Sequence, residues 1–326
     1  MNISGQTDAE CLAWLGRHRL WPVADVLLQR GYIGAGVAAL ARQLAEPQKQ
    51  AMQRQLDEDR RVVSALAEAG LPVLVLKGAV LAQTVYSDPA SRFRTDLDLL
   101  AKRAQMPAVE NVLATLGYVR PTGLQSAMPL RQILWTRKDG ERRWSVDLHW
   151  DLRNHPALEA RFGFDELIEA GQPLPALHQK AVGMGRVHAL LNASMHYFND
   201  YADERPCQGL LDKDLLWRAM DANERAQCIE LAGERGLAGL LAESLKCSRE
   251  WFETPVDDAQ IEKLRVAGRG QWSTGLVKAN EKRASAYWYA LRSEPGMRRQ
   301  LTRLKAGLFP PVHYMRRFYP DGSRFG

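Results

Sequence analysis

RFRTDLDLL, Arg92 to Leu100, sets two carboxylates, Asp96 and Asp98, at alternate positions of an apolar run. In an extended strand residues i and i+2 share a face. The spacing therefore predicts Asp96 and Asp98 on one face and Leu97 and Leu99 in a core on the other. Aspartate is depleted in strands, and two acids on one face repel unless a cation lies between them. A hard divalent ion with oxygen ligands meets that need. WSVDLHW, Trp144 to Trp150, predicts a second strand that carries a third carboxylate, Asp147, with His149 on the same face.

Outward from these stretches the pattern is mixed. Residues 8–70 read as amphipathic helices, the last a long run closed by Gly70. PVLVLK, Pro72 to Lys77, predicts a strand, and Gly78 leads a short helix after it. TDLDLLA follows as a strand and AVENVLATLG, Ala108 to Gly117, as a helix. RQILWTRK and RRWSVDLHW predict a hairpin turning at Asp139-Gly140. Beyond Pro156 strand signals fade and helical spacing takes over. The Pro- and aromatic-rich ending, GLFPPVHYMRRFYPDGSRFG, predicts an irregular arm. The expected fold class is α+β: a helical region over 1–70, a small mixed-sheet core over 71–155, and a helical region with a basic tail over 156–326.

Composition excludes several classes. At 326 residues, 46% hydrophobic and 25% charged, the chain is an ordinary globular sequence with room for a sizeable core. Asp8 and Glu10 precede any apolar stretch, so no signal peptide is expected. No uncharged run approaches the ~20 residues of a membrane helix. Cys11, Cys207, Cys228 and Cys247 lie far apart and read as reduced thiols of a cytoplasmic protein. From Lys263 onward 14 Lys and Arg stand against 3 Asp and Glu, so the net charge of +6 resides in the C-terminal region. Such a region suits a polyanion, or is simply a set of solvated helix faces.

Two carboxylates at i and i+2 with a third on a neighbouring strand can hold two Mg²⁺ ions, or Mn²⁺, ~3.5–4 Å apart. One ion would stabilise a leaving pyrophosphate, and the other would activate an acceptor hydroxyl. Asp96, Asp98 and Asp147 are the expected catalytic and metal-binding residues. Lys77, Gly78 and Arg92 are the expected phosphate-binding ones, through backbone N–H groups at a helix start and through cationic side chains. Each has a structural alternative: Asp147 paired with Arg142 or Arg143, Arg92 with Asp88, and Arg94 with Asp96. His149 reads equally as an orienting residue, base or metal ligand and as a hydrogen-bonded structural histidine. His188 and His196 read as core or interhelical hydrogen-bonding residues, with contact to nucleotide or acceptor as the alternative. Asp212 and Asp214 read as partners for basic residues, and GYIGAG, Gly31 to Gly36, as a helix stop and turn.

The order Lys77-Gly78, then Arg92-x-x-x-Asp96-Leu97-Asp98-Leu99-Leu100, then Val146-Asp147-Leu148-His149-Trp150 resembles the polymerase-β-type nucleotidyltransferase superfamily. It is most similar to a bacterial family with Lys-Gly where better-known members carry Gly-Ser or Gly-Gly. His188, His196 and Leu211-Asp212-x-Asp214 are similar to that family's helical flanks, as is the ending LFPPVHYMRRFYP. The resemblance implies Mg²⁺-dependent transfer of a nucleoside monophosphate from an NTP such as ATP to a hydroxyl on a small molecule, sugar or peptide. It does not fix the acceptor. An RNA-tailing enzyme, supported by the basic C-terminal region, and an inactive nucleotide-binding protein are the competing readings. Nucleic acid is the less favoured partner.

Overall fold

The structure is a computed structural model that describes residues 7–120, 131–153, 155, 158–199, 207–279, 288–289, 291–294 and 296–308. Of the irregular ending expected from Gly307, the first two residues close the last helix, and the remainder lies outside the described residues.

The N-terminal segment is helical as its spacing requires: α1 (Asp8–Arg17), α2 (Ala24–Gln29) and the long α3 (Ala35–Glu68). Gly31 to Gly34 form the turn between α2 and α3, and Ala35 and Gly36, the end of the run expected as a turn, are the first residues of α3. Gly70 takes a positive φ of 69° just after α3, where a Cβ would be strained. A mixed α+β core follows, with β1 (Leu74–Val75), α4 (Lys77–Thr84), β2 (Leu97–Leu100), α5 (Met106–Thr115), β3 (Gln132–Asp139) and β4 (Arg142–His149). The hairpin turns at Gly140, whose φ is 60°. Next come α6 (Phe164–Glu169), β5 (Gln172–Pro173), β6 (Val182–Gly183), α7 (Arg186–Asn199) and α8 (Gln208–Ala219). The described chain ends with α9 (Ala222–Glu234), α10 (Ala238–Phe252), α11 (Asp258–Ala267), α12 (Trp272–Ala279) and α13 (Met297–Leu308).

Two differences from the sequence reading have local causes. The strand expected through Lys77 stops at Val75, and Lys77 is the first residue of α4. The strand-poor stretch after Pro156 contributes β5 and β6, each only two residues long, too short to show alternation.

The six strands lie in the order β3-β4-β2-β1-β6-β5. β2 runs parallel to β4 and antiparallel to β1. Leu97 and Leu99 pack with Val75, Val146 and Leu148 against Val62, Val63 and Leu66 of α3 and Val109 and Leu113 of α5. The opposite face carries Leu74, Leu76 and Leu100 into a second cluster shared with Leu15 and Leu27 near the N-terminus and with Leu190, Leu211 and Trp217 of α7 and α8. Asp98 shares its face with Leu100 and marks where that face leaves the core. Full burial of each leucine contributes about 1.5–3 kcal/mol, which anchors β2 from both sides.

Buried ion pairs lock α3 to the sheet. Arg94 reaches Asp59 of α3, with both side chains buried. Glu58 accepts from Arg61, from Arg137 of β3 and from the Tyr118 hydroxyl.

Candidate active site

Parallel pairing of β2 with β4 sets Leu97 opposite Val146 and Asp98 opposite Asp147. Two aspartates thus stand side by side on neighbouring strands, each held in place by leucine and valine neighbours that point into the core. Donor atoms of Asp98, Asp147 and His149 lie within 4.8 Å of one another, the one such group among the described residues able to hold a metal ion. Asp96 comes one residue before the first paired position of β2. Its carboxylate falls outside that group, yet it lines the same cavity as Asp98.

Each carboxylate has a different environment. Asp98 Oδ1 accepts from both Lys77 Nζ and His149 Nε2, the latter at 2.9 Å. The Lys77 ammonium and the histidine donor hold the Asp98 carboxyl well below the usual range despite its burial. An ionised carboxylate only accepts, so His149 presents an Nε2–H to it. Burial, followed by the Lys77 charge, lowers the His149 pKa to about 4, so the ring is neutral at pH 7. Asp147 accepts from Gln132 Nε2 at 3.0 Å on Oδ2, and pairs with neither Arg142 nor Arg143. Burial, then the Asp98 and Asp96 charges, raises its pKa to about 7. Burial, then Asp98, raises Asp96 to about 6.

Hard oxygen donors with too little positive charge around them fit a divalent cation. Asp98 Oδ2, Asp147 Oδ1 and the Asp96 carboxylate accept no hydrogen bond from the described residues and would hold it.

Asp96 and Asp98 form one wall of a cavity of about 310 Å³. Lys77 and Gly78 at the start of α4 also line it, together with Arg153 beyond β4, Asn192 and His196 of α7, and Lys213 of α8. Asp147, beside Asp98 on the neighbouring strand, is not among the residues that line the cavity. Lys77 adopts a φ of 49°, a left-handed conformation that is costly for a residue with a Cβ and typical of sites where a side chain must be aimed. At Gly78 a Cβ would meet Arg92 Nη1 at 3.1 Å and Arg94 Cδ at 3.2 Å, so glycine lets the two arginines pack there without giving way.

Arg92 lines the cavity, but its guanidinium forms a two-pronged pair with Asp212 of α8, at 2.9 Å and 2.7 Å, and not with Asp88. Asp212 also accepts from the Tyr86 hydroxyl at 2.8 Å. Asp214 binds Arg218 at 2.8 Å, with Arg30 on its other oxygen. Both aspartates are ion-pair partners, Asp214 with Arg218 one turn further along α8 as well as with Arg30, and Asp212 with an arginine far away in the chain. Arg94 donates to the Asp96 backbone carbonyl at 3.3 Å and pairs with Asp59, leaving the Asp96 carboxylate uncovered. His196 reaches the cavity, whereas His188 sits against Glu166 and the edge of Phe162. Arg19, Arg153, Asn192 and Lys213 at the cavity, and Gln132 on Asp147, were not singled out from sequence. Gln132 alone had a signal: counting back from the Asp139-Gly140 turn pairs it with His149.

Comparison with known proteins supplies the class, a nucleotidyltransferase. The chain belongs to a family described as uncharacterised nucleotidyltransferase, which matches residues 5–253. No curated protein matches. Among solved structures, JHP933 from Helicobacter pylori is similar at 11% identity and a TM-score of 0.32, over 72% of this chain and 95% of that one.

Proposed function

We propose that the protein transfers a nucleoside monophosphate from an NTP to a hydroxyl in a divalent-metal-dependent reaction, as the sequence resemblance to polymerase-β-type nucleotidyltransferases implies. The observation that carries this reading is the side-by-side register of Asp98 and Asp147, with Asp96 adjacent, at the edge of a cation-lined cavity.

The triphosphate lies in the cavity, against the Lys77-Gly78 turn and beside Asp96 and Asp98. Arg92 lines the same cavity, with its guanidinium held and its charge balanced by Asp212. The acceptor approaches from the Asp147 side. Its oxygen forms a bond to the α-phosphorus while the bond from that phosphorus to the α–β bridging oxygen breaks and pyrophosphate departs. Asp147, oriented by Gln132, holds its second oxygen toward the acceptor and can receive the hydroxyl proton. His149 fixes the rotamer of Asp98. Asp96, Asp98 and Asp147 would hold the divalent cation, which would acidify the hydroxyl and stabilise the charge on the departing phosphates.

The test is pyrophosphate release, screened over four NTPs with fractionated cell extract as the acceptor source, followed by the mass of the modified product. Asp98→Asn and Asp96→Asn are each expected to lower turnover by at least ~100-fold, the scale of losing a principal electrostatic element of a site. Turnover equal to the unaltered protein in both variants would remove the proposal.

A further inference from the structure

We propose that the hydroxyl acceptor is a small molecule bearing a phosphate monoester, which Arg54, Arg142 and Arg143 anchor in a second cavity beside the carboxylates. The proposal rests on the nucleotidyl-transfer reading and names the acceptor class which that reading leaves open.

A cavity of about 230 Å³ lies between α3 and the start of β4. It is lined by Arg54 and Gln55 of α3, by Thr95, and by Arg142, Arg143 and Trp144 of β4, among others, and by no carboxylate. Thr95 also lines the larger cavity and directly precedes Asp96, so the two cavities share a residue next to the acidic pair. Alternation along β4 puts Arg143 on the face of Asp147, about 13 Å away along the strand. The long arginine stem shortens that span to the length of a small molecule. A phosphate at Arg143 thus leaves a hydroxyl of the same compound within reach of Asp147.

Charge points to an anion. Among the described residues Arg54, Arg142 and Arg143 form no ion pair. Acids near them in the chain are committed elsewhere: Asp57 to Arg60, Glu58 to Arg61 and Arg137, Asp59 to Arg94, and Asp139 to Arg137. Lys138 of β3 stands directly opposite Arg143, and like charges so placed weaken a strand pair unless an anion lies across them. Three guanidiniums at one cavity match the several oxygens of a phosphate, whereas a carboxylate fills a single fork. Nucleic acid fits less well, because Trp144, the aromatic side chain of this cavity, is buried and offers no face for base stacking.

The anchoring phosphate is a handle and not a reactant. The acceptor oxygen bonds to the α-phosphorus, its proton passes to Asp147 and pyrophosphate leaves, so the product is a phosphodiester that keeps the handle.

The experiment has two arms. In the first, inorganic phosphate is titrated into the full chain and followed at the Trp144 indole N–H resonance, identified by its loss in Trp144→Phe. That N–H has no acceptor among the described residues, and a saturable shift is expected. The triple variant Arg54→Gln/Arg142→Gln/Arg143→Gln alters exposed or half-exposed side chains, so it is expected to melt like the unaltered protein and to lose the shift. In the second arm, cell extract is pretreated with phosphatase or with nuclease, each removed before NTP is added, and pyrophosphate release is measured. Phosphatase is expected to destroy the acceptor and nuclease to spare it. The triple variant is expected to raise the half-saturating amount of acceptor by about tenfold or more, the scale of losing a charge-assisted hydrogen bond, with the KM for NTP unchanged. Absence of a Trp144 shift, an acceptor that resists phosphatase or is lost to nuclease, or a triple variant whose KM rises for NTP instead overturns the proposal. Each of these leaves nucleotidyl transfer standing. No pyrophosphate release from any fraction overturns the nucleotidyl-transfer reading and the acceptor role with it, while the Trp144 shift still reports whether the cavity holds an anion, so the failures are distinguishable.

Discussion

Asp96 and Asp147 carry a cost that only a cation can relieve, and pH exposes it. Both have folded-state pKa values raised by burial and by Asp98, to about 6 and about 7, against about 4 for an unfolded aspartate. A group whose pKa is higher in the folded state binds its proton more tightly there. Its contribution to stability is full below the unfolded value and is lost as pH rises through the folded value. The metal-free protein should therefore lose stability between about pH 4 and pH 7 on account of these two residues. Asp98 is shifted in the opposite direction, and its contribution is lost only in more acidic solution, so the windows separate. A divalent ion binds the ionised forms and cancels the loss. The rise in melting temperature caused by Mg²⁺ over a chelator should accordingly be small at pH 5 and reach its full size by pH 8. An equal rise at both pH values would contradict the assignment of Asp96 and Asp147 as ligands. Gln132 offers a second test at this scale. Its amide is placed to orient Asp147, so Gln132→Ala should lower kcat by about tenfold, a weakened orienting contact of the kind that costs 10–100-fold around metal ligands. The KM for NTP should hardly change, because Asp147 is not among the residues that line the cavity. A change confined to KM would show that Gln132 serves nucleotide binding.

At the scale of elements, the long helix α3 is what fixes the approach to β2. Arg94 stands two residues before Asp96, and its guanidinium is buried against Asp59, itself fully buried on α3. Breaking one partner of such a pair leaves an uncompensated buried charge, at a cost of about 3–5 kcal/mol. Arg94→Leu should show a loss of that size in chemical denaturation, and adding Asp59→Leu should recover part of it by removing the orphaned carboxylate. If the double variant is as unstable as the sum of the singles, the two side chains are not coupled. This contact also shows where sequence reading stops. Asp98 and Asp147 were legible as unusual residues because both interrupt apolar runs, and Asp139-Gly140 set the register of β3 with β4. The pairing of β2 with β4 that puts the two aspartates side by side was only what the resemblance implied. The Arg94–Asp59 and Arg92–Asp212 pairs join segments far apart in the chain, and nothing local in either segment names its partner. Lys77 was legible as a cation at a strand end, but its left-handed start to α4 was not. The run PVLVLK gives no sign that the strand stops at Val75. Nor do the dipeptides of β5 and β6, Gln172-Pro173 and Val182-Gly183, carry any period from which a strand could be recognised.

For the whole molecule, the sheet segment is incomplete without the helices on both sides of it. One face of β1 and β2 sends Val75, Leu97 and Leu99 against α3 and α5, while the other sends Leu74, Leu76 and Leu100 into the cluster built by the N-terminal helices with α7 and α8. The sequence suggested a core over 71–155 between two helical regions, and the structure carries its packing across both of those limits. A chain cut to residues 71–155 would expose Leu74, Leu76 and Leu100 at about 1.5–3 kcal/mol each. It would also lose Val62, Val63 and Leu66 from the other face and strip Arg94 and Arg92 of Asp59 and Asp212. The sum exceeds the roughly 5–15 kcal/mol by which domains are stable at all. The fragment should therefore show no cooperative thermal transition and no saturable Mn²⁺ binding, although it contains Lys77, Asp96, Asp98 and Asp147. A fragment that unfolds cooperatively and binds Mn²⁺ as the full chain does would show that the carboxylates are positioned by the sheet alone. Loss of both supports the alternative drawn from the packing: Asp98 and Asp147 converge because the flanking helices hold β2 and β4 in register from both faces.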